Sequence, residues 1–226
     1  MNLETLRALY RSLARDEVEP FLASYEAVDA FLNEAEDEAA VRARLIHDDT
    51  TAAVCEIDIE EVSGDIPHTY TLHASLYELT SLRLLTPADG DPVELTLVSR
   101  EWLNRHKPDW RECTGDPKYA IQTDTTLRIV PAPTAEGLLK LEGYRLPLAP
   151  MVEDEDAPEI NGTHHRYLVQ WVLHRVFGVP DSELFDATKS SRALAEFERH
   201  FGPPVDSDLR RSTRHDVEHH NTAILP

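Results

Sequence analysis

The sequence predicts an α+β fold: a helical bundle made from one helix pair near each end, an inserted small antiparallel β-module, and an extended C-terminal tail. Three observations carry this. Apolar residues recur at helical spacing over residues 3–45 and again over 163–200. Between those stretches the period shortens to two, and beyond Gly202-Pro203-Pro204 no periodicity survives. The expected division is 1–50 with 157–202 for the bundle, 51–150 for the β-rich module, and 203–226 for a flexible C-terminal arm.

Leu6, Leu9, Tyr10 and Leu13 set a first helix over residues 3–14, and the stretch 16–21, with Pro20, breaks it. Ser24 is placed to cap a second helix. There Val28, Phe31, Leu32, Ala35 and Ala39 share one face, opposite Glu34, Glu36, Asp37 and Glu38. Asp48-Asp49-Thr50-Thr51 marks the change of pattern. Cys55, Ile57 and Ile59 then alternate with Glu56, Asp58 and Glu60, as in a half-buried strand. Tyr70, Leu72 and the run 76–85 give one or two more strands. The turn at 87–92 combines glycine with two prolines, and Val93, Leu95 and Leu97 alternate after it. Ser99 caps a short helix through Trp102 and Leu103 that stops before Pro108. Strands at 127–130 and 138–146 flank Pro131-Ala132-Pro133. Strands this short, without long helices between them, predict an antiparallel sheet or small sandwich.

Glu153-Asp154-Glu155-Asp156 is expected to be a linker held extended by like-charge repulsion. The helix over 163–177 is apolar almost all round, so it is central or is covered by a neighbouring subunit. Gly178-Val179-Pro180 ends it. A last helix, over 182–200, turns Ala187, Leu194, Phe197 and Phe201 toward its partner.

The 22 basic and 42 acidic residues give a net charge of −20, which sets the chain against groove-reading of nucleic acid and against anionic membranes. Such a surface suits a passage along which DNA slides without sticking, or simple solubility in a salty habitat. With 41% hydrophobic residues, 226 residues sustain a real core. Cys55 and Cys113 are too few for a disulfide framework or a four-thiolate zinc site. No basic and apolar leader opens the sequence, and no apolar run approaches the roughly 20 residues that span a bilayer, so a soluble protein made in the cytosol is expected.

Motifs for chemistry are sparse. His215 and His219, with a nearby carboxylate, have helical metal-ligand spacing, but they follow two prolines and lack an apolar face to rigidify them. His164-His165 opens a helix, where a cap or surface role is expected, and Cys113 reads as a small core or loop residue. No catalytic, metal or cofactor-binding residue is assigned. Trp110, beside Asp109 and Arg111, and Trp171 are the candidate partner-binding aromatics, joined in the arm by Arg210, Arg211, Arg214 and Leu225.

Phe21-Leu22-x-x-Tyr25-x-x-Val28-x-x-Phe31-Leu32-Asn33-Glu34-Ala35 resembles the opening helices of the head-to-tail adaptor (connector) proteins of tailed bacteriophages and prophages. Thr114-Gly115-Asp116-Pro117-Lys118-Tyr119, the run 127–133, Tyr144-Arg145-Leu146-Pro147, and Pro158-Glu159-Ile160 with His165 are similar to the same group. The resemblance spans residues 3–202. It implies a homo-oligomeric ring, commonly dodecameric, in the virion neck between portal and tail, assembled from protein made in the host cytoplasm. The bundle would pack side by side around the ring, the C-terminal arm would reach along the portal protein, and the β-module would face tail or nozzle proteins. Double-stranded DNA would pass through the lumen without specific binding. No active site comes with the resemblance. The nearest alternative is a stopper, nozzle or tail-completion protein. From other classes come a metal-dependent hydrolase using His215 and His219, and a salt-adapted binding module.

Overall fold

The computed structural model describes residues 1–61, 66–86, 91–180 and 182–205, and the fold is α+β. The chain forms two compact units, one from 1–46 with 145–204 and the other from 47–144. The expected tail lies outside the described residues from 206 onward.

The first unit holds α1 (Leu3–Ala14), α2 (Tyr25–Ala43) and two helices from late in the chain. Asn2 and Ser24 cap α1 and α2 by accepting from Thr5 N and Ala27 N. Both helices end on an arginine in the left-handed region, Arg15 (φ 62°) and Arg44 (φ 50°), where a cation also suits the negative end of the helix dipole. Leu3, Leu6, Tyr10 and Ala14 form the inward face of α1. The spacing had placed Leu13 there too, but Leu13 is 49% exposed. On α2 the apolar stripe is as expected, except that Glu36, placed by spacing on the polar face, is buried.

The remaining two helices of this unit, labelled in chain order, are α5 (His165–Phe177) and α6 (Ala187–Phe201). α5 packs against α6, α2 and α1, and its Leu168, Val169 and Val172 are fully buried. Its all-round apolar character is therefore satisfied within the chain, and no sister subunit is needed to cover it. Each such side chain contributes about 1.5–3 kcal/mol by leaving water. α6 starts five residues later than the spacing predicts, because Asp186 supplies the cap, accepting from Thr188 N and Lys189 N. Its inward face is Ser190, Ala193, Phe197 and Phe201, and Ala187 is exposed.

The acidic stretch 153–156 is not an extended linker. Asp156 Oδ2 accepts the Val152 and Glu153 amides at 2.8 Å each, folding the stretch into a turn. The Asp156 and Asp154 carbonyls then accept the Leu3 and Glu4 amides, which have no partner within α1 itself. Hydrogen bonding to amides outweighs carboxylate repulsion here.

The second unit opens with β1 (His47–Asp48). Cys55, expected in a strand, instead closes the helical turn α3 (Ala52–Cys55). The cause is Asp48, whose buried carboxylate accepts the Thr50 and Thr51 amides and turns the backbone before β2 (Glu56–Ile59). There follow β3 (Thr69–Thr71), β4 (Leu76–Leu85), β5 (Val93–Glu94), β6 (Thr96–Leu97), α4 (Arg100–His106), β7 (Tyr119–Gln122), β8 (Thr126–Val130) and β9 (Gly137–Arg145). The run 76–85 is one continuous strand.

One sheet has the order β1-β9-β4-β5, with β2 also paired to β9. The other runs β3-β8-β7-β6. β1 and β2 pair antiparallel with β9, β4 with β5, and β3 and β7 with β8, whereas β6 pairs parallel with β7, so the second sheet is mixed. One apolar cluster draws on both sheets, with Leu76, Leu79, Leu82, Leu127, Ile129 and Leu139 nearly or fully buried. A smaller cluster under α4 joins Val98, Leu103, Trp110, Ile121 and Val130.

Candidate interaction surfaces

The first surface is an apolar groove on the helical unit, and a buried ion pair shapes it. Arg11 and Asp16, 7% and 3% exposed, form a salt bridge, while Asp16 also accepts the Leu22 amide at 2.8 Å and the Ala23 amide at 3.2 Å. One carboxylate thus fixes the loop between α1 and α2. The Arg11 guanidinium lies 4.0 Å over the Phe21 ring and 5.2 Å from that of Tyr25, so aromatic faces offset the desolvation of a cation whose Nε and Nη2 find no acceptor among the described residues. Held this way, Phe21 and Leu22 join Phe31, Val176, Val179 and Leu184 in a groove of about 740 Å³. Leu22 is 53% exposed and Val179 45%, the kind of apolar patch that marks protein contact.

The second surface is on the β-rich unit, around Trp110. The indole is buried, and its Nε1 donates to Asn104 Oδ1 at 2.9 Å. Two guanidinium groups lie over it, Arg111 at 4.4 Å and Arg128 at 4.7 Å. Arg128 Nη2 donates to the Arg111 carbonyl at 3.3 Å. Desolvation, then the charges of Arg111 and Arg100, hold the Arg128 pKa below the ordinary guanidinium value. None of the three arginines forms an ion pair among the described residues.

Trp110 was expected to be a direct contact anchor. It is instead the platform beneath two arginines. Trp171 lies within the helical core, its ring 5.0 Å from that of Phe197 and 5.0 Å from the Arg42 guanidinium carbon. Arg210, Arg211, Arg214, Leu225, His215 and His219 lie outside the described residues. His165 is buried, and its Nε2 donates to the Ile160 carbonyl at 2.9 Å, a structural role and not a surface one. His164 meets His200 at 2.9 Å between ring nitrogens, and desolvation with the neighbouring His164, Arg166 and Arg199 charges holds the His200 pKa down. Cys113 is an exposed loop residue.

Spacing missed the Arg11–Asp16 lock and the meeting of Arg100, Arg111 and Arg128. The Asp16-to-Pro20 break was visible in the sequence, but its inward-facing carboxylate was not. Arg128 sits at an ordinary polar position of a strand, so only sheet pairing brings it to Trp110.

Among the described residues, no helix is long and apolar enough to cross a membrane, and no group of three or more His, Cys, Asp or Glu is placed to hold a metal ion. A family model described as SU10 adaptor protein matches residues 1–218. No curated protein matches the chain.

Proposed function

Because the chain belongs to the SU10 adaptor protein family, a family of phage head-to-tail adaptors, we propose that it is a non-enzymatic component of the virion neck, forming a ring between portal and tail. The observation that carries this is the extent of the family match, which takes in both compact units and so concerns the whole architecture. The apolar groove on the helical unit supports it, since exposed surface of this kind is what an assembly part covers.

In this reading the ring is homo-oligomeric and dodecameric, with the helical units side by side and the β-rich units toward tail or nozzle proteins. Its contacts are heterologous, so each copy offers two unlike faces. Residues 203–226, carrying Arg210, Arg211, Arg214 and Leu225, reach the portal protein. The charge of −20 keeps double-stranded DNA from adhering as it passes the lumen during packaging and ejection. The protein is made in the host cytoplasm and ends in the virion.

Deletion of 203–226 tests the assignment of the arm. The truncated protein should keep the circular-dichroism spectrum of a folded chain and lose capture by immobilised portal protein. Capture equal to that of the full chain would remove the arm from portal binding.

A further inference from the structure

A chain of net charge −20 repels further copies of itself, so side-by-side assembly needs local cationic patches to meet the surrounding acid. Arg100, Arg111 and Arg128 make such a patch. Arg100 and Arg111 are exposed, and Arg128 is half-buried. No carboxylate among the described residues pairs with any of them. The Trp110 indole, anchored by Asn104, pre-positions two of the guanidinium groups, so an incoming acceptor has little side-chain entropy to remove.

The helical unit carries the opposite imbalance on α2. Glu34 pairs with Arg175, and Glu38 with Arg42 at 2.8 Å. Asp37 lies between them, exposed, with no cationic partner among the described residues. Desolvation along the helix, then the Glu38 and Glu34 charges, push its carboxyl up, a stress that an approaching cation relieves.

We propose that copies of this chain join head to tail through a charged contact in which the Arg100–Arg111–Arg128 cluster of one copy receives the Asp37 face of α2 of the next. The proposal rests on the ring reading above and adds, to helical units that lie side by side, a second contact between unlike surfaces of neighbouring copies. A DNA backbone is the competing occupant of the arginines. Glu101 follows Arg100 in the sequence, and Asp109 and Glu112 flank Trp110-Arg111, all three exposed. That spacing leaves room for discrete carboxylates and repels a continuous run of phosphates.

The test uses full-length protein with purified portal protein, with sedimentation velocity reading how many copies assemble. Arg100→Glu with Arg111→Glu changes exposed positions, and circular dichroism checks the fold. Assembly should weaken by roughly tenfold or more in the double variant, as like charges meet across the contact, and adding Asp37→Arg should restore it. Undiminished assembly of the double variant, or no rescue by Asp37→Arg, overturns the proposal. So does a variant that assembles normally but loses binding to a labelled DNA duplex or to portal alone, because the arginines then serve that partner. Wild-type protein that never places more than one copy on portal removes the ring reading and this contact with it. Failure confined to the charge variants removes the contact alone.

Discussion

Glu36 shows at the scale of one side chain how burial and function-neutral chemistry are linked. It is 2% exposed, and its Oε1 accepts the Glu159 amide at 2.6 Å and the Ile160 amide at 3.3 Å, tying α2 to the segment that leads into α5. Burial pushes its carboxyl up to about 7, against the two amides, which pull it down. The folded pKa lies above the ordinary glutamate value of about 4.3, so the folded state holds the extra proton between those pH values. The associated stability is full below the lower value and is lost as pH rises through about 7. Glu36→Gln keeps the acceptor oxygen without the charge. Urea unfolding should show the variant gaining roughly 1–2 kcal/mol on wild type at pH 8, with no gain at pH 4. An equal offset at both pH values would mean that Glu36 does not titrate in this window. Sequence spacing put Glu36 on the solvent face, because periodicity reports the direction of a side chain and not whether a distant loop will cover it.

Among the elements, helices were the most legible and their starts the least. The stripe of α2 and its Ser24 cap follow from residues close in sequence, which is why both were readable. The Asn2 cap, the Asp186 cap and the turn made by Asp156 depend on carboxamide or carboxylate groups that serve equally well in loops, so spacing alone did not single them out. Cys55 belonged to an alternating run, but Asp48 upstream redirected the backbone into α3. β9 holds a constraint that hydropathy does not reveal. A Cβ on Gly143 would lie 2.2 Å from the Glu78 carbonyl oxygen of β4, and one on Gly137 would lie 2.5 Å from that of Leu85. The central pair of the first sheet approaches this closely only with glycine. Gly143→Ala should lower stability by about 1–3 kcal/mol in denaturant melts, the range for forcing atoms into filled space. A change within about 0.5 kcal/mol would show that β4 yields there at little cost.

For the whole molecule, the hydrophobic period changes from helical to two and back along the sequence, and the chain forms a helical unit from 1–46 with 145–204 and a β-rich unit over 47–144. What the change of period did not carry was the pairing of distant charges. The two arginines over Trp110 come from a loop and from β8, and Arg100, whose charge also acts on Arg128, comes from α4, so groups far apart in the sequence meet there. The same limit explains the helix over 163–177. Its apolar girth suggested a face awaiting a neighbour, yet three helices of its own unit cover it. If copies meet, they do so through surface groups such as the apolar groove and the charged patches. The most direct measurement of the central claim is electron microscopy of the purified full chain mixed with portal protein. A closed ring of adaptor density seated on the tail-proximal end of the portal is the expected result. Portal particles with no added density, while the chain stays monomeric at saturating concentration, would contradict it.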